Sequence, residues 1–214
     1  TGCHIYGKAE YFNPGESVKD RAALFIVQDA LKRKLISKGG TIVEGTAGNT
    51  GIGLAVVCKE YGLNLKIVIP KTQSIEKKKT LKELGAELIE VDAVPYANPK
   101  NYIKQSKQIA EDLNKTNSSG VYWANQFDNI VNTEAHIQTT AEEIWSQTAG
   151  SVDGFTCAVG TGGTLAGVSI GLKNKNKKIK IALSDPMGSS LYSHIKNNKL
   201  ESTGSSITAV SYTH

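Results

Sequence analysis

The sequence predicts a two-domain α/β protein, three-layered α/β/α, with mostly parallel sheets. Short apolar runs of strand character alternate with segments of helical periodicity. The links between them are short, as in parallel sheets covered on both faces. Two of the strand-to-helix junctions, residues 45–51 and 160–164, are glycine-rich.

Residues 4–12 alternate well enough for a strand entering the turn Asn13-Pro14-Gly15. Ser17 suits the cap of a helix over about residues 18–35, where Ala22, Ala23, Phe25, Ile26, Ala30 and Leu31 recur at helical spacing. Thr41-Ile42-Val43-Glu44 reads as a short strand, and a helix follows to Tyr61, ended by Gly62. Strands at 65–69 and 87–91 flank a helix over 75–84. A helix over 102–113 and a strand at 121–123 lead into Asn125-Gln126-Phe127-Asp128. A longer helix is expected over 134–147, then a strand at 155–159, a helix over 164–172 and a strand at 179–184. Beyond Pro186 the signals fade to a short helix near 191–196, and the Ser/Thr-rich residues 201–214 are expected to be poorly ordered. The domain boundary is expected near residues 124–133.

The 214 residues, 39% hydrophobic and 21% charged, have the composition of a soluble globular chain. No apolar run is long enough to span a bilayer, so no membrane partner is expected. No secretory leader is expected either, and an opening without Met suggests that the true N-terminus is missing. Three widely spaced cysteines, Cys3, Cys58 and Cys157, exclude a C-x-x-C zinc site and a disulfide framework, and point to a reducing compartment. The net charge of +5 is concentrated at residues 71–82 and 173–180. Few aromatics accompany these lysines, so they read as solvated faces and no nucleic-acid partner is expected. The four histidines form no ligand pair, and no metal is expected. His136 reads as a satisfied or exposed helix residue.

The chemistry concentrates in three stretches. Lys19 stands where the turn at 13–15 becomes a helix. The loop Gly45-Thr46-Ala47-Gly48-Asn49-Thr50-Gly51 opens a helix whose free N–H groups and positive dipole end suit a carboxylate or a phosphate. The loop Gly160-Thr161-Gly162-Gly163-Thr164 lacks the Lys-Ser/Thr of a nucleotide loop and the third glycine of a dinucleotide fingerprint. Its glycines and threonines suit a single phosphate monoester. A lysine that serves a phosphate-bearing aldehyde forms a Schiff base, and pyridoxal 5′-phosphate is the cofactor of that description.

These stretches resemble the cysteine synthase (O-acetylserine sulfhydrylase) family, fold type II pyridoxal-phosphate enzymes with the tryptophan synthase β-subunit-like fold. Residues 13–21 resemble its N-P-G-G-S-V-K-D-R segment, residues 46–51 its T-S-G-N-T-G loop and residues 160–164 its G-T-G-G-T phosphate cup. Asn125-Gln126-Phe127 looks like its Q-F segment, and residues 72–78 like its T-x-S-x-E-(K/R)-(K/R) stretch. The resemblance implies that Lys19 is catalytic and carries the cofactor as a Schiff base, that Asn49 bonds the cofactor's 3′-oxygen, and that Gly160, Thr161, Gly162, Gly163 and Thr164 hold its phosphate. It implies that Thr46, Gly48, Asn49, Thr50 and Gln126 hold the substrate carboxylate.

The implied reaction is β-replacement, making L-cysteine from O-acetyl-L-serine and sulfide. Cystathionine β-synthase and serine/threonine dehydratase-type elimination are the enzyme alternatives, since the cofactor motifs serve all three. The implied domains are a small one at 22–124 and a partial large one from 1–21 plus 125–214, with a homodimer in the full-length parent. A cytoplasmic location is expected, with the mitochondrion as alternative.

Four departures stand out. Glu16 replaces a glycine, and Ala47 replaces the common serine. The family's opening G-N-T-P-L region is absent, and the sequence diverges after Ser205-Ser206-Ile207-Thr208. The family's later Ser or Thr at the cofactor's ring nitrogen is therefore missing. These departures imply a chain incomplete at both ends and a further alternative, a fragment with impaired catalysis.

Overall fold

The computed structural model describes residues 2–201, so the sequence departure at 205–208 and the expected disorder beyond 201 lie outside the described residues. The chain divides into two compact units, Thr1–Asn132 and Thr133–His214.

The first unit is built on four strands, β1 (Thr41–Gly45), β2 (Asn64–Pro70), β3 (Glu87–Val91) and β4 (Val121–Trp123). They form one sheet in the order β3-β2-β1-β4, and every pairing is parallel. Parallel neighbours need crossovers, which helices α2 (Asn49–Tyr61), α3 (Ile75–Glu83) and α4 (Tyr102–Asn114) supply. On one face, Ile42, Leu65, Ile67 and Ile69 pack with Ala23, Ile26 and Val27 of α1 (Lys19–Lys32) and with Leu54 and Cys58 of α2. On the other, Val43, Val68 and Val121 pack with Ala110 of α4. Every residue of β1 is buried, as expected of a strand covered on both faces. The strand order reverses beside β1: β2 and β3 lie to one side of it and β4 to the other. The loops after β1 and β4 therefore open at a topological switch point, where ligands of open α/β sheets bind.

Most elements match the sequence expectation. Gly62 closes α2 in the left-handed region at φ 63°, and the Ser74 hydroxyl caps α3 by accepting the Lys77 N–H. The lysine run over 71–82 is partly neutralised by acidic residues on or next to β3: Lys78 pairs with Glu90 at 2.6 Å and Lys71 with Asp92 at 2.8 Å. The strand expected over 4–12 is not formed. Residues Glu10–Phe12 make a 3-10 turn instead, closed by the Asn13 N–H on the Glu10 carbonyl. Alternation becomes a strand only where a neighbour supplies a ladder. Here the Glu10 carboxylate is engaged by Asn13 and Arg21, and Ile5, Tyr6 and Phe12 are exposed.

The second unit carries β5 (Gly154–Ala158) and β6 (Lys180–Ser184) as a parallel pair, with α6 (Ala141–Gln147), α7 (Gly163–Lys175) and α8 (Ser190–Asn197). Ala141, Val168, Leu172 and Ile179 form its core. The single helix expected over 134–147 is interrupted. After α5 (Val131–Ala135) comes a π-helical turn, His136–Thr140, and the Ala141 N–H reaches back to the His136 carbonyl. The interrupted stretch lies against α7. A β-carbon at Gly167 would stand 2.4 Å from the Thr133 carbonyl oxygen and 2.6 Å from His136 Cβ, so the π turn and α7 touch backbone to backbone.

Gly167→Ala therefore sets two effects against each other. Alanine favours a helix interior by about 0.5–1 kcal/mol, while overpacking costs about 1–3 kcal/mol. Because the clash is with backbone, the variant is expected to lower the thermal midpoint; an unchanged or raised midpoint would show that the contact yields.

Candidate functional site

The lysine segment is stapled by its own side chains. The Arg21 guanidinium grips Glu10 with two bonds, at 2.8 and 2.9 Å. Asn13 Nδ2 donates to the same carboxylate at 2.7 Å and to the Ser17 carbonyl at 2.9 Å. The Gly15 N–H donates to Asp20 Oδ2 at 2.5 Å, and Ser17 Oγ accepts the Lys19 N–H. Half-buried Lys19 is thus the first residue of α1, after Val18 at the N-cap and before buried Asp20. Asp20 Oδ1 has no hydrogen-bond partner among the described residues, and burial pushes the Asp20 carboxyl up against the opposing pull of the Gly15 N–H. Glu16, at the position where the resembled family has glycine, sits at φ 60°. Such a conformation costs a non-glycine residue about 1–3 kcal/mol.

The loop after β1 and the loop after β4 meet at the switch point. The Thr46 hydroxyl accepts the Gly48 N–H, and the Thr50 hydroxyl donates to Gln126 Oε1 at 2.6 Å. Gln126 Nε2 donates to Glu44 Oε1 at 3.2 Å, and Asn132 Nδ2 donates to the Gln126 carbonyl at 2.9 Å. Thr46, Thr50, Gln126 and Glu44 are all buried, whereas Ala47, Gly48 and Asn49 remain partly open. The structure thus brings Thr46, Thr50 and Gln126 together, with Gly48 and Asn49 at the mouth of the same loop. Burial pushes the Glu44 carboxyl up to about 8, opposed by the Gln126 amide and by the backbone N–H groups of Asn125 and Gln126.

In the second unit, Gly160 and Thr161 precede α7, Gly162 turns the backbone at φ +90°, and Gly163 and Thr164 open the helix. The Thr161 hydroxyl accepts the Gly163 N–H at 3.4 Å. Buried His136 bonds Thr164 Oγ1 through Nε2 at 3.2 Å and Thr140 Oγ1 through Nδ1 at 2.8 Å. A β-carbon built at Gly48, Gly160 or Gly162 meets nothing within 4 Å. Both loops therefore leave their backbone open to a group that approaches it, which is what a phosphate and a carboxylate at helix N-termini require. Each loop by itself thus has the chemistry that the resemblance implies for pyridoxal phosphate and its substrate.

Sequence reasoning overlooked Glu44, Asp20 and the partner role of His136. Glu44 carried a legible signal, an acid ending an otherwise uncharged strand directly before a glycine loop. The His136–Thr164 bond carried none, because it depends on the π turn.

An open parallel sheet with a lysine at a helix start, a donor-lined loop at its switch point and a separate phosphate-type loop defines a class, the lysine-based enzymes of a phosphorylated aldehyde cofactor. The family described as "Pyridoxal-phosphate dependent enzyme" matches residues 1–212, and the chain belongs to it. Cysteine synthase 1 of Neurospora crassa is 54% identical over 211 residues, which cover 97% of this chain and 55% of the relative. The chain thus spans about half the length of the curated relatives it matches. A crystal structure of a hydrogen sulfide-producing enzyme from Fusobacterium nucleatum superposes with a TM-score of 0.80 at 39% identity, covering 93% of this chain and 61% of that one. A cysteine synthase structure from Entamoeba histolytica gives 0.77 at 38% identity, covering 92% and 55%.

The Glu44 carboxyl makes stability depend on pH. Between about 4.5 and about 8 the unfolded carboxyl is ionised while the folded one keeps its proton. Stability therefore falls as pH rises through that window and levels off above it, on the order of 1.4 kcal/mol per pKa unit. Glu44→Gln lacks this loss. The wild-type stability relative to Glu44→Gln, measured by urea unfolding, is expected to decline from pH 4.5 to 8; a constant difference would show that Glu44 titrates normally.

Proposed function

We propose that the protein makes L-cysteine from O-acetyl-L-serine and sulfide, a β-replacement in which acetate leaves the β-carbon and sulfide takes its place. The observation that carries this reading is the Thr50–Gln126 hydrogen bond at the switch point. It joins the two loops into one polar site suited to an amino-acid carboxylate. The cysteine synthase relative, 54% identical, supports the choice among reactions sharing that site.

Pyridoxal phosphate, when bound, supplies an electron sink for charge developing at the amino acid's α-carbon. Gly160, Thr161, Gly162, Gly163 and Thr164 would hold its phosphate through backbone N–H groups and hydroxyls, and Asn49 its 3′-oxygen. Lys19 would bind it covalently through Nζ. As a neutral amine, Lys19 Nζ would take the α-proton and later return it. Thr46, Gly48, Asn49, Thr50 and Gln126 would orient the substrate by its carboxylate, keeping the α-proton within reach of Lys19.

Residues 22–124 would form the small, substrate-loop domain, and 1–21 with 125–214 would belong to the large, cofactor domain. The whole protein would act as a homodimer, which sedimentation would read as twice the chain mass. Cysteines at positions 3, 58 and 157 form no disulfide among the described residues, which suits the reducing cytoplasm.

Lys19→Ala is expected to lower L-cysteine formation from O-acetyl-L-serine and sulfide by at least about 100-fold, the scale of losing a positioned general base. Formation that is independent of Lys19, or conversion of O-acetyl-L-serine without incorporation of sulfide, would overturn the reading.

A further inference from the structure

We propose that Glu44 is a positioning residue. It fixes the side-chain amide of Gln126 so that an amide N–H, and not the Thr50 hydroxyl, is the side-chain donor offered to the substrate carboxylate. The inference rests on the reading of this loop pair as an amino-acid site, and it names which atoms of that site do the work.

The geometry settles the direction of each bond. Ionised, Glu44 can only accept; protonated at Oε2, the oxygen that no group among the described residues engages, it still accepts at Oε1, so the Gln126 atom 3.2 Å from Oε1 is the amide nitrogen. That places Gln126 Oε1 against the Thr50 hydroxyl, at 2.6 Å. A hydroxyl has one hydrogen, and here it is committed to Gln126. Thr50 would then serve a carboxylate only through its backbone N–H, in the first turn of α2. The Gln126 amide nitrogen has two hydrogens, and Glu44 takes one.

The rest of Gln126 is fixed as well. Asn132 holds its carbonyl, and Asn125 before it turns the chain at φ 46°. The main chain is held by these contacts and the side chain by Thr50 and Glu44, of which Glu44 takes the amide N–H. Without an acceptor at position 44, the amide is free to turn over and present a carbonyl oxygen to a carboxylate, which repels it. Glu44 is 1% exposed, and its Oε2 is unpartnered among the described residues. Burying such a group is costly, so its presence at the end of the central strand calls for a compensating role.

Two readouts on the 214-residue chain test this. In nitrogen NMR, the Gln126 side-chain NH2 pair is expected to be protected from solvent exchange in wild type and in Glu44→Gln, and unprotected in Glu44→Ala. In the pyridoxal-phosphate-loaded chain, Glu44→Ala is expected to weaken O-acetyl-L-serine binding about tenfold, as for one buried hydrogen bond, with cofactor affinity within about twofold of wild type. Glu44→Gln is expected to recover most of that loss. Should Glu44→Ala not fold, Glu44→Met, of similar volume but without an oxygen acceptor, replaces it. Protection and amino-acid affinity unchanged in Glu44→Ala or Glu44→Met would overturn the inference. Failure of the wild-type chain to take up cofactor would instead count against the functional reading, and the NMR readout alone would then decide the role of Glu44.

Discussion

A carboxyl group at the end of a strand buried on both faces has no water to turn to, and the site is arranged around that constraint. Glu44 takes its hydrogen bond from the Gln126 amide in the loop after β4, and the backbone N–H groups of Asn125 and Gln126 there oppose the rise of its pKa. To bring them there, the chain leaves β4 with Asn125 in the left-handed region. Gln126 in turn engages Thr50, at the start of the helix that follows β1. One buried acid thus links two loops that are 76 residues or more apart in sequence. The parallel sheet supplies the frame, because its switch point leaves the ends of β1 and β4 side by side.

The lysine segment obeys the same logic on a shorter scale. Asp20 is buried and accepts the Gly15 N–H, and a β-carbon at Gly53 of α2 would come within 2.9 Å of its Oδ1. The turn carrying Lys19 is therefore clamped to its own helix, and that helix packs closely on α2, which opens from the Thr46 loop. Rigid support of this kind is what a positioned base requires. In the second unit the Gly167 contact brings the π turn against α7, and His136 uses that proximity to reach Thr164 at the phosphate-type loop.

Much of this was legible in the residues. Short strands rich in apolar and β-branched residues, each running into a glycine loop, give β1 and β5, and Gly62 marks the end of α2 by its left-handed φ. Residues 13–21, 46–51 and 160–164 carry the resemblance to the family, which the family match over residues 1–212 bears out; Lys19 and both loops are the candidates that it names. What was not legible depends on partners distant in sequence. Residues 4–12 alternate, yet alternation states only that a strand is possible, and Glu10 finds Arg21 instead of a ladder. The π turn packs on Gly167 of α7, a partner that lies well beyond it in sequence. Glu44 stands out in sequence as an acid directly before a glycine loop, but neither its burial nor its Gln126 partner can be read from neighbouring residues.

The account stands on Lys19 as the attachment point of the cofactor. Borohydride reduction of the chain mixed with pyridoxal phosphate, followed by peptide mass mapping, tests this most directly. The expected result is one pyridoxyl group, on Lys19, at near-stoichiometric level and absent from Lys19→Ala. A pyridoxyl group spread over the exposed lysines of residues 71–82, or found on none, would contradict it.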